Sequence, residues 1–316
     1  MLNEIIKVEM AVVLVNFNDE EDTRSCLKSI LEHEESPPFA VIVDNSTPKN
    51  TSLDEFKSWY KNLHIIYSEK NIGFGMANNT GIEWIKSNLD FQYITLLNND
   101  TITTNGALSK LTATLNSDPE IGIATGKIMY LDDPTLVWYG GGDINLVKGW
   151  PEISDMNSTP TKTGANQSRY VTFISGCLMV FSKESILALK GFDPLFFMYC
   201  EDLELCLRAT KSKFKLFYNS ESIIYHKVQG SFHGSKDRKE KGLRPQNPNV
   251  HFLFFHMLSN QYITMRKQLS SGAFFRFRFY YWMKFIYLNL WMIFNGKFSI
   301  LKTSVKTVKR IAQNKR

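Results

Sequence analysis

The chain has 316 residues, of which 43% are hydrophobic and 22% are charged, with 18 Gly, 10 Pro and no low-complexity run. This composition is typical of a globular protein with ample material for a core, and it excludes a low-complexity or repeat protein. The length predicts one large α/β domain or two small ones.

Basic and acidic residues are divided unevenly along the chain. Residues 241–316 carry 14 Lys or Arg and no acid, whereas the preceding residues have 23 basic against 31 acidic side chains. The net charge of +6 therefore comes entirely from the C-terminal quarter. Such a division indicates an anionic partner for that quarter, either a membrane surface or a nucleic acid.

The cysteines and the N-terminus bear on the cellular compartment. Cys26, Cys177, Cys200 and Cys206 form no CxxC pair, so we expect small buried thiols in a reducing environment. Residues 1–10 contain Glu and Lys but no sustained apolar run. The sequence thus predicts no secretory signal, and we expect a cytoplasmic location.

Strands and helices alternate in the first third of the chain. Continuous apolar runs are typical of buried parallel strands, and helical spacing of apolar residues separates them. The alternation predicts a mostly parallel, Rossmann-like sheet flanked by helices. The predicted strands are 10–18, 39–46, 64–69 and 93–100, and the predicted helical segments are 19–33, 51–61 and 71–88.

Polar side chains follow three of these strands. Open α/β sheets bind ligands at the carboxyl ends of their strands, and polar residues at three successive ends are hard to explain as packing. We therefore expect a binding site made by Asn16, Asn18, Asp44, Asn45, Asn98, Asn99 and Asp100.

The pattern is less regular from residue 120 to residue 181. The three glycines of VWYGGGDIN (137–145) predict a loop, and residues 151–168 are rich in Ser, Thr, Asn, Pro and Gly, which predicts an exposed segment. Later stretches predict a strand with a central Ser-Gly at 171–182, an aromatic loop running into a helix at 191–211, and two short strands with a polar loop at 215–233.

Two stretches have side chains suited to a metal ion. Asp100 ends an apolar strand after two Asn residues, and Mg²⁺ or Mn²⁺ prefers such oxygen ligands. An Asx turn that caps the next helix would explain the same residues. His226, after another strand, fits either a ligand or a core histidine.

Two further stretches leave alternatives open in the same way. Glu201 and Asp202 stand at a predicted helix N-terminus, where an acid is either a general base or only a favourable first-turn charge. The glycines of NIGFGMANN (71–79) suit a phosphate-binding loop or simply a tight turn.

Taken in order, these stretches resemble the family 2 glycosyltransferases, which have the GT-A fold, and among them the rhamnosyltransferase-type enzymes of bacterial cell-surface polysaccharide synthesis. The resemblance runs from residue 11 to about residue 231, and the matching stretches follow one another in the family's order. The matching stretches are VVLVNFN, VIVDNST, NIGFGMANNTGI, YITLLNNDT, WYGGGDI, ISGCLMV, GFDPLFFMYCEDLELCLR and IIYHKVQGS.

The resemblance implies a division of the chain and a donor site. Residues 1–240 would be the GT-A catalytic domain, with a nucleotide-binding half to about 118 and an acceptor-side half from about 119, followed by a basic, aromatic helical region at 241–316. The donor, a nucleotide-diphosphate sugar, would contact Asn16, Asn18, Asp44, Asn45, Gly73, Asn78, Asn79, Asn98, Asn99, Ser175 and Gly176.

The resemblance also implies roles in catalysis. Asp100 matches the last acid of the family's DxD-like metal motif, whose first acid is here Asn98, and His226 would complete the Mg²⁺ or Mn²⁺ site. Asp202 would be the base, with Glu201 beside it, in an inverting transfer to a saccharide or lipid-linked saccharide. The subgroup favours dTDP-rhamnose, and UDP-linked glucose, galactose, galactofuranose or N-acetylhexosamines are the alternatives.

The C-terminal region has its own pattern. Residues 273–294 are packed with aromatics but interrupted by Arg276, Arg278 and Lys284, and a spanning helix needs about 20 apolar residues. Aromatic and basic side chains together suit the inner membrane surface. The alternatives are packing onto the catalytic domain or a homodimer contact.

Other classes of protein fit less well. A nucleic-acid-binding protein would use the basic tail, but the polar strand ends lie in a net acidic region without a nucleic-acid-binding motif, so no nucleic-acid partner is expected. An inert nucleotide-sugar binder would not need Asp202. A nucleotidyltransferase of similar fold would have a Gly-rich, basic signature at the first strand, which VNFNDEEDT lacks.

Overall fold

The structure, a computed structural model, describes residues 5–48, 51–228 and 242–314. Its helices are α1 (Glu20–His33), α2 (Phe74–Asn88), α3 (Ala107–Ser117), α4 (Lys183–Leu189), α5 (Glu201–Thr210), α6 (Val250–Gln268), α7 (Ser271–Phe294) and α8 (Ile300–Gln313), with a 3-10 helix at Thr51–Ser58. Its strands are β1 (Ile6–Lys7), β2 (Met10–Asn16), β3 (Phe39–Asp44), β4 (Leu63–Tyr67), β5 (Leu89–Asp90), β6 (Tyr93–Asn98), β7 (Thr101–Thr103), β8 (Ile121–Tyr130), β9 (Val137–Tyr139), β10 (Gly142–Asn145), β11 (Trp150–Ile153), β12 (Arg169–Val171), β13 (Leu178–Ser182) and β14 (Lys215–His226).

One large sheet organises the molecule, with the strand order β12-β14-β8-β13-β6-β2-β3-β4. The strands β4, β3, β2 and β6 are parallel, as the sequence predicts. Beyond β6 the sheet is mixed, because β13 runs antiparallel to both β6 and β8, while β14 is parallel to β8. Helices flank this curled α/β sheet, as the sequence predicts.

The parallel half follows from its apolar sequence. All six residues of β3 are buried, as are six of the seven in β2, which is typical of strands covered on both faces. Helix α2 approaches closely because Gly81 has no side chain, and a Cβ there would overlap the side chain of Val13. Asp19 caps α1 by accepting a hydrogen bond from Asp22 N at 3.2 Å.

The prediction of a loop at 137–145 is wrong in part. Val137–Tyr139 and Gly142–Asn145 are the strands β9 and β10, and β10 pairs with β11 as an antiparallel hairpin. Only the two glycines between the strands are irregular. The glycines are needed because Cβ atoms on Gly140 and Gly142 would overlap neighbouring residues, which a sequence pattern does not reveal.

Two other predicted elements differ in extent. The segment 171–182 is not one strand, because β12 ends at Val171 and β13 begins at Leu178. The described part of 215–233 is one strand, β14, whose register against β8 shifts between Asn219 and Ile223. The polar residues that suggested a loop are thus an irregularity within a continuous strand.

The ten-residue strand β8 lies where the sequence looks irregular. Gly122 and Gly126 interrupt its apolar run, and a Cβ at either would overlap Phe214 or Ser222. Lys127 is buried and donates to Asn166 Oδ1 at 2.6 Å. Each residue that obscures the strand pattern is therefore explained by a neighbour distant in sequence.

The C-terminal helices α6, α7 and α8 share one hydrophobic core with the large sheet, through residues such as Phe254, Phe277 and Tyr281. The predicted domain boundary at 240 lies outside the described residues. Among the helices of the described ranges, none is both long enough and apolar enough to cross a membrane. All four cysteines are free and buried, as expected.

Candidate active site

A pocket of about 400 Å³ opens at the carboxyl ends of the parallel strands, within the size range of small-ligand sites. Both the parallel half and the mixed half of the sheet contribute to its wall. The predicted site residues that line it are Asn45, Asn98, Asn99, Asp100, Ser175, Gly176, Glu201, Asp202 and His226.

The other predicted donor residues lie around the pocket and bond to the protein. Asn16 donates to Asp44 Oδ1 at 2.9 Å, and both side chains are buried. The backbone N–H of Asn18 donates to Ser46 Oγ at 2.8 Å, and Asn78 donates to the carbonyl of Phe74. These bonds hold the strand ends, and contacts of Asn16, Asn18, Asp44 and Asn78 with a donor stay predictions.

The Gly-rich segment before α2 is held against the loop that precedes α5. Gly73 has φ +84°, and a Cβ there would overlap the carbonyl oxygen of Phe197. Asn79 forms two bonds with the backbone of Phe192, donating to its carbonyl and accepting from its N–H, both at 2.8 Å. Donor contacts of Gly73 and Asn79 likewise stay predictions, while their contacts here position two walls of the pocket.

Asp100 and His226 meet although 126 positions separate them in the sequence. His226 Nε2 lies 3.0 Å from Asp100 Oδ1, and both side chains are at least nine-tenths buried. Strand β14 brings them together by pairing His226 with Thr101 of β7. Burial lowers the pKa of His226, but Cys177 and the Asp100 carboxylate raise it by more, to about 10.

A carboxylate and an imidazole can both bind a divalent cation, provided that the cation displaces the proton that Asp100 and Cys177 favour on His226. The described residues contain no group of three or more His, Cys, Asp or Glu side chains placed to hold a metal ion. However, Mg²⁺ and Mn²⁺ sites commonly use one or two protein ligands and complete their shell with substrate phosphates and water. Asn98 lines the same pocket, and its buried Oδ1 has no hydrogen-bond partner among the described residues, so it is a further oxygen available there.

Glu201 and Asp202 enter the pocket at the first turn of α5, after a turn of unusual conformation. Tyr199 and Cys200 both have left-handed backbone angles, with φ of 69° and 68°. Non-glycine residues adopt this region at a cost, and such strain is concentrated at functional sites. Two consecutive residues of this kind set the direction in which the two acids point.

The two acids have different surroundings. Asp202 accepts hydrogen bonds from Leu203 N at 2.7 Å and Gly176 N at 3.3 Å, whereas Glu201 Oε2 is buried without a partner. Burial, and then the charge of Asp202, raise the pKa of Glu201 to about 8. Burial also raises the pKa of Asp202, but its two N–H donors oppose that rise. Glu201 therefore holds a proton at neutral pH, and the backbone N–H donors make Asp202 the better-stabilised carboxylate of the two.

Several lining residues were missed as site residues in the sequence. Trp138 packs edge-on against His226 with ring centroids 4.7 Å apart, and it belongs to the WYGGGDI stretch that carried the resemblance. Asp19 and Asp22, at the N-terminus of α1, also line the pocket and were not predicted as site residues. The acidic cluster just after the first strand end was the signal that could have identified them.

The sequence is similar to a glycosyltransferase family model and to individual glycosyltransferases. The model of a family described as "Glycosyltransferase like family 2" matches residues 8–243. The rhamnosyltransferase WbbL of Escherichia coli K12 is 23% identical over 276 residues, covering 83% of this chain and 96% of that protein. An N-acetylglucosaminyl-diphospho-decaprenol L-rhamnosyltransferase of Mycobacterium tuberculosis is 22% identical over 245 residues, covering 70% and 77%.

Solved structures share the GT-A fold that the sequence predicts, at low sequence identity. GalNAc-T7 with UDP, GalNAc and Mn²⁺ has a TM-score of 0.60 at 17% identity, and the match covers 81% of this chain but only 47% of that one. The mannosyltransferase PcManGT of Pyrobaculum calidifontis, in complex with GDP-Man and Mn²⁺, has a TM-score of 0.56 at 12% identity, covering 98% and 76%.

The raised pKa of Glu201 makes stability depend on pH. Between about pH 4.5 and about pH 8 the unfolded chain releases the Glu201 proton while the folded chain keeps it, so stability falls as pH rises. We expect Glu201→Gln, which has no proton to release, to lessen this fall and to melt above the unmodified protein at pH 8. Thermal melting from pH 5 to 9 measures it, with the exposed Glu184→Gln as the matched control. Parallel melting curves for all three proteins would contradict the assignment.

Proposed function

We propose that this chain, which belongs to glycosyltransferase family 2, transfers L-rhamnose from dTDP-rhamnose, with inversion, to a hydroxyl of a lipid-linked or oligosaccharide acceptor. One observation carries the proposal: a single pocket contains both the Asp100–His226 pair and the Glu201–Asp202 pair. The first suits the leaving diphosphate and the second suits the attacking hydroxyl. The product would enter an O-antigen, a capsule or a cell-wall polysaccharide.

The choice of donor rests on relatives and on the strand ends. Two relatives are named rhamnosyltransferases, which favours L-rhamnose over the UDP-linked hexoses, galactofuranose and N-acetylhexosamines. Asn45 would act at the nucleotide side: it lines the pocket, and its Oδ1 accepts from Ile72 N of the Gly-rich segment at 2.9 Å. The nucleotide would lie along the ends of β2 and β3, and its diphosphate would point towards Asp100.

Asp100 and His226 would hold Mg²⁺ or Mn²⁺ together with the diphosphate. A bound divalent ion stabilises the negative charge that accumulates on the leaving group. The protein's part is to fix the carboxylate and the imidazole 3.0 Å apart in a site mostly closed to water. Asn98 and Asn99 then offer polar contacts beside the diphosphate without adding negative charge that would repel it.

Asp202 would accept the proton of the acceptor hydroxyl. Its N–H donors at Gly176 and Leu203 keep the carboxylate oriented, and each oxygen retains a lone pair for the incoming proton. Glu201 is more deeply buried and would be neutral. Asp202 would then be the only charged carboxylate of this pair. A single base is sufficient for direct displacement, which inverts the anomeric carbon.

We expect Asp202→Asn to abolish most transfer while leaving the fold and donor binding intact. General-base assistance is worth roughly 100- to 10,000-fold, and the amide cannot accept the proton. Steady-state turnover measured beside a thermal melt and a donor-binding titration tests this expectation. Near-normal turnover in a folded variant would remove Asp202 from the role of base.

The donor and the metal can be tested in one binding assay. We expect dTDP-rhamnose with Mn²⁺ or Mg²⁺ to raise the melting temperature more than UDP-glucose, UDP-galactose, UDP-galactofuranose or UDP-N-acetylglucosamine. In Asp100→Ala the metal-dependent part of that rise should disappear, whereas the exposed Asp133→Asn should keep it. A larger shift with a UDP sugar would change the donor, and undiminished transfer after exhaustive chelation would exclude the metal role.

We also propose that the enzyme works at the inner membrane surface, where a lipid-linked acceptor is presented. One face of α7 is apolar and exposed at a helical spacing, and Phe279 and Phe294 are 71% and 86% exposed. A shallow groove between α7 and α8 continues that face and is lined by Ile286, Leu290 and Val305 among others. Together these exposed side chains form a C-terminal apolar face, which comprises Phe275, Phe279, Met283, Ile286, Leu290, Phe294, Leu301, Val305 and Val308.

Charge favours lipid over a second copy of the chain on this face. Exposed Lys302, Lys306 and Lys309 border the C-terminal apolar face on α8, and Arg276 and Arg278 border it on α7. A symmetric dimer across the face would bring these cations of both copies together, whereas anionic headgroups would neutralise them. The apolar side chains would then lie at the headgroup boundary.

Point variants test membrane binding better than truncation, since Phe277 and Tyr281 of α7 belong to the core. We expect Leu290→Ser/Val305→Ser to reduce co-sedimentation with vesicles containing phosphatidylglycerol, with little change in melting temperature. The control Leu187→Ser changes a similarly exposed leucine on α4 and should bind vesicles normally. Equal binding of all three proteins, or a change of oligomeric state in the double variant alone, would overturn the membrane proposal.

A further inference from the structure

One side chain of α6 reaches the strained turn that aims the two acids. Asn260 Nδ2 donates to the carbonyl of Met198 at 2.9 Å and to the carbonyl of Tyr199 at 2.8 Å. Asn260 is fully buried, and α6 lies beyond the region matched by the family model, which ends at residue 243. The bonds therefore join the C-terminal region to the catalytic turn.

The geometry of the bonds identifies which end of the amide faces the turn. Both partners are carbonyl oxygens, so only the NH₂ group of Asn260 can satisfy them. The Oδ1 atom of Asn260 points into the interior and has no hydrogen-bond partner among the described residues. A buried oxygen without a partner destabilises a fold, so this polar residue is not explained by stability alone.

The two accepting carbonyls belong to the turn itself. Because Tyr199 and Cys200 both have left-handed backbone angles, the turn departs from the conformation these residues prefer. Cys200 adds a second contact with the same face of α6, where its thiol lies 3.8 Å from the carbonyl of Met257, three residues before Asn260. Met198 and Tyr199 also line the pocket, so a shift of the turn would change the pocket wall as well as α5.

We infer that Asn260 is a positioning residue for the transfer reaction: its amide holds the Met198–Tyr199 carbonyls, and thereby fixes where Glu201 and Asp202 enter the pocket. The inference rests on the proposed function for its consequence in catalysis, although the holding of the turn can be measured without any activity. Loss of the amide would leave donor binding intact, since Asn45 and Asp100 lie on elements other than the turn. Turnover would fall because the base is no longer held where the hydroxyl needs it.

The adjacent residue provides a matched control. Gln261 is equally buried, also leaves its side-chain oxygen without a partner, and also donates to two carbonyls, those of Lys148 at 2.9 Å and Gly149 at 3.0 Å. Those carbonyls belong to the β10–β11 turn, which does not line the pocket. The two variants therefore delete the same number and kind of bonds from neighbouring positions of one helix.

The experiment compares full-length Asn260→Ala with Gln261→Ala. We expect similar decreases in melting temperature, faster hydrogen exchange at 198–203 in the first and at 146–150 in the second, and a fall in kcat of about 100-fold only in Asn260→Ala, with its donor KM unchanged. If the alanine variant loses its cooperative melt, Asn260→Leu replaces it, because leucine keeps the volume and lacks the N–H donors.

Two results would overturn the inference. Unchanged exchange at 198–203 in the Asn260 variant would show that the turn does not depend on the amide, and a faster exchange with normal kcat would show that the turn's position does not matter. Asp202→Asn, assayed alongside, reports on the proposed function separately. Normal turnover in that variant, together with a low kcat in Asn260→Ala, would overturn the base assignment and leave the positioning role supported.

Discussion

The carboxyl ends of β3, β2 and β6 lie side by side at one edge of the sheet, and every other feature of the site is placed relative to that edge. The parallel register brings Asn16 beside Asp44, and their 2.9 Å hydrogen bond ties two strand ends together. The antiparallel strand β13 then returns along β6, so that the N–H of Asn98 bonds to the carbonyl of Cys177 at 2.9 Å. This single reversal carries Ser175 and Gly176 from the mixed half of the sheet into the pocket.

The Asp100–His226 and Glu201–Asp202 pairs offset negative charge in the pocket by different means. Asp100 lies 3.0 Å from the imidazole of His226, which offsets its negative charge, and a cation bound there would take the place of the imidazole proton. Asp202 has an acidic neighbour instead, and its charge is supported by backbone N–H groups while Glu201 keeps its proton. Both arrangements limit repulsion towards an anionic donor, although the pocket contains several acids.

The inner and outer faces of the C-terminal helices have different surroundings. Their inner faces complete the hydrophobic core and present Asn260 and Gln261 to loops of the catalytic sheet. The outer face of α7 and α8 is apolar, bordered by cations and left uncovered within the described chain. The alternative that the aromatics pack onto the catalytic domain is therefore realised for one face, and the other face remains available to a membrane.

Local sequence by itself determined the parallel strands, the helices that follow them, and the polar residues at the strand ends, because these signals depend on neighbours within a few positions. It could not decide whether Asp100 meets His226, whether Glu201 or Asp202 keeps the proton, or why glycines interrupt β8, since each depends on residues far away in the chain. For the same reason it could not show that Asn79 and Gly73, which match the family's donor loop, contact Phe192 and Phe197. Only the tertiary structure decided these points, because hydrogen bonding, burial and close packing are set by partners that folding alone brings within a few ångströms.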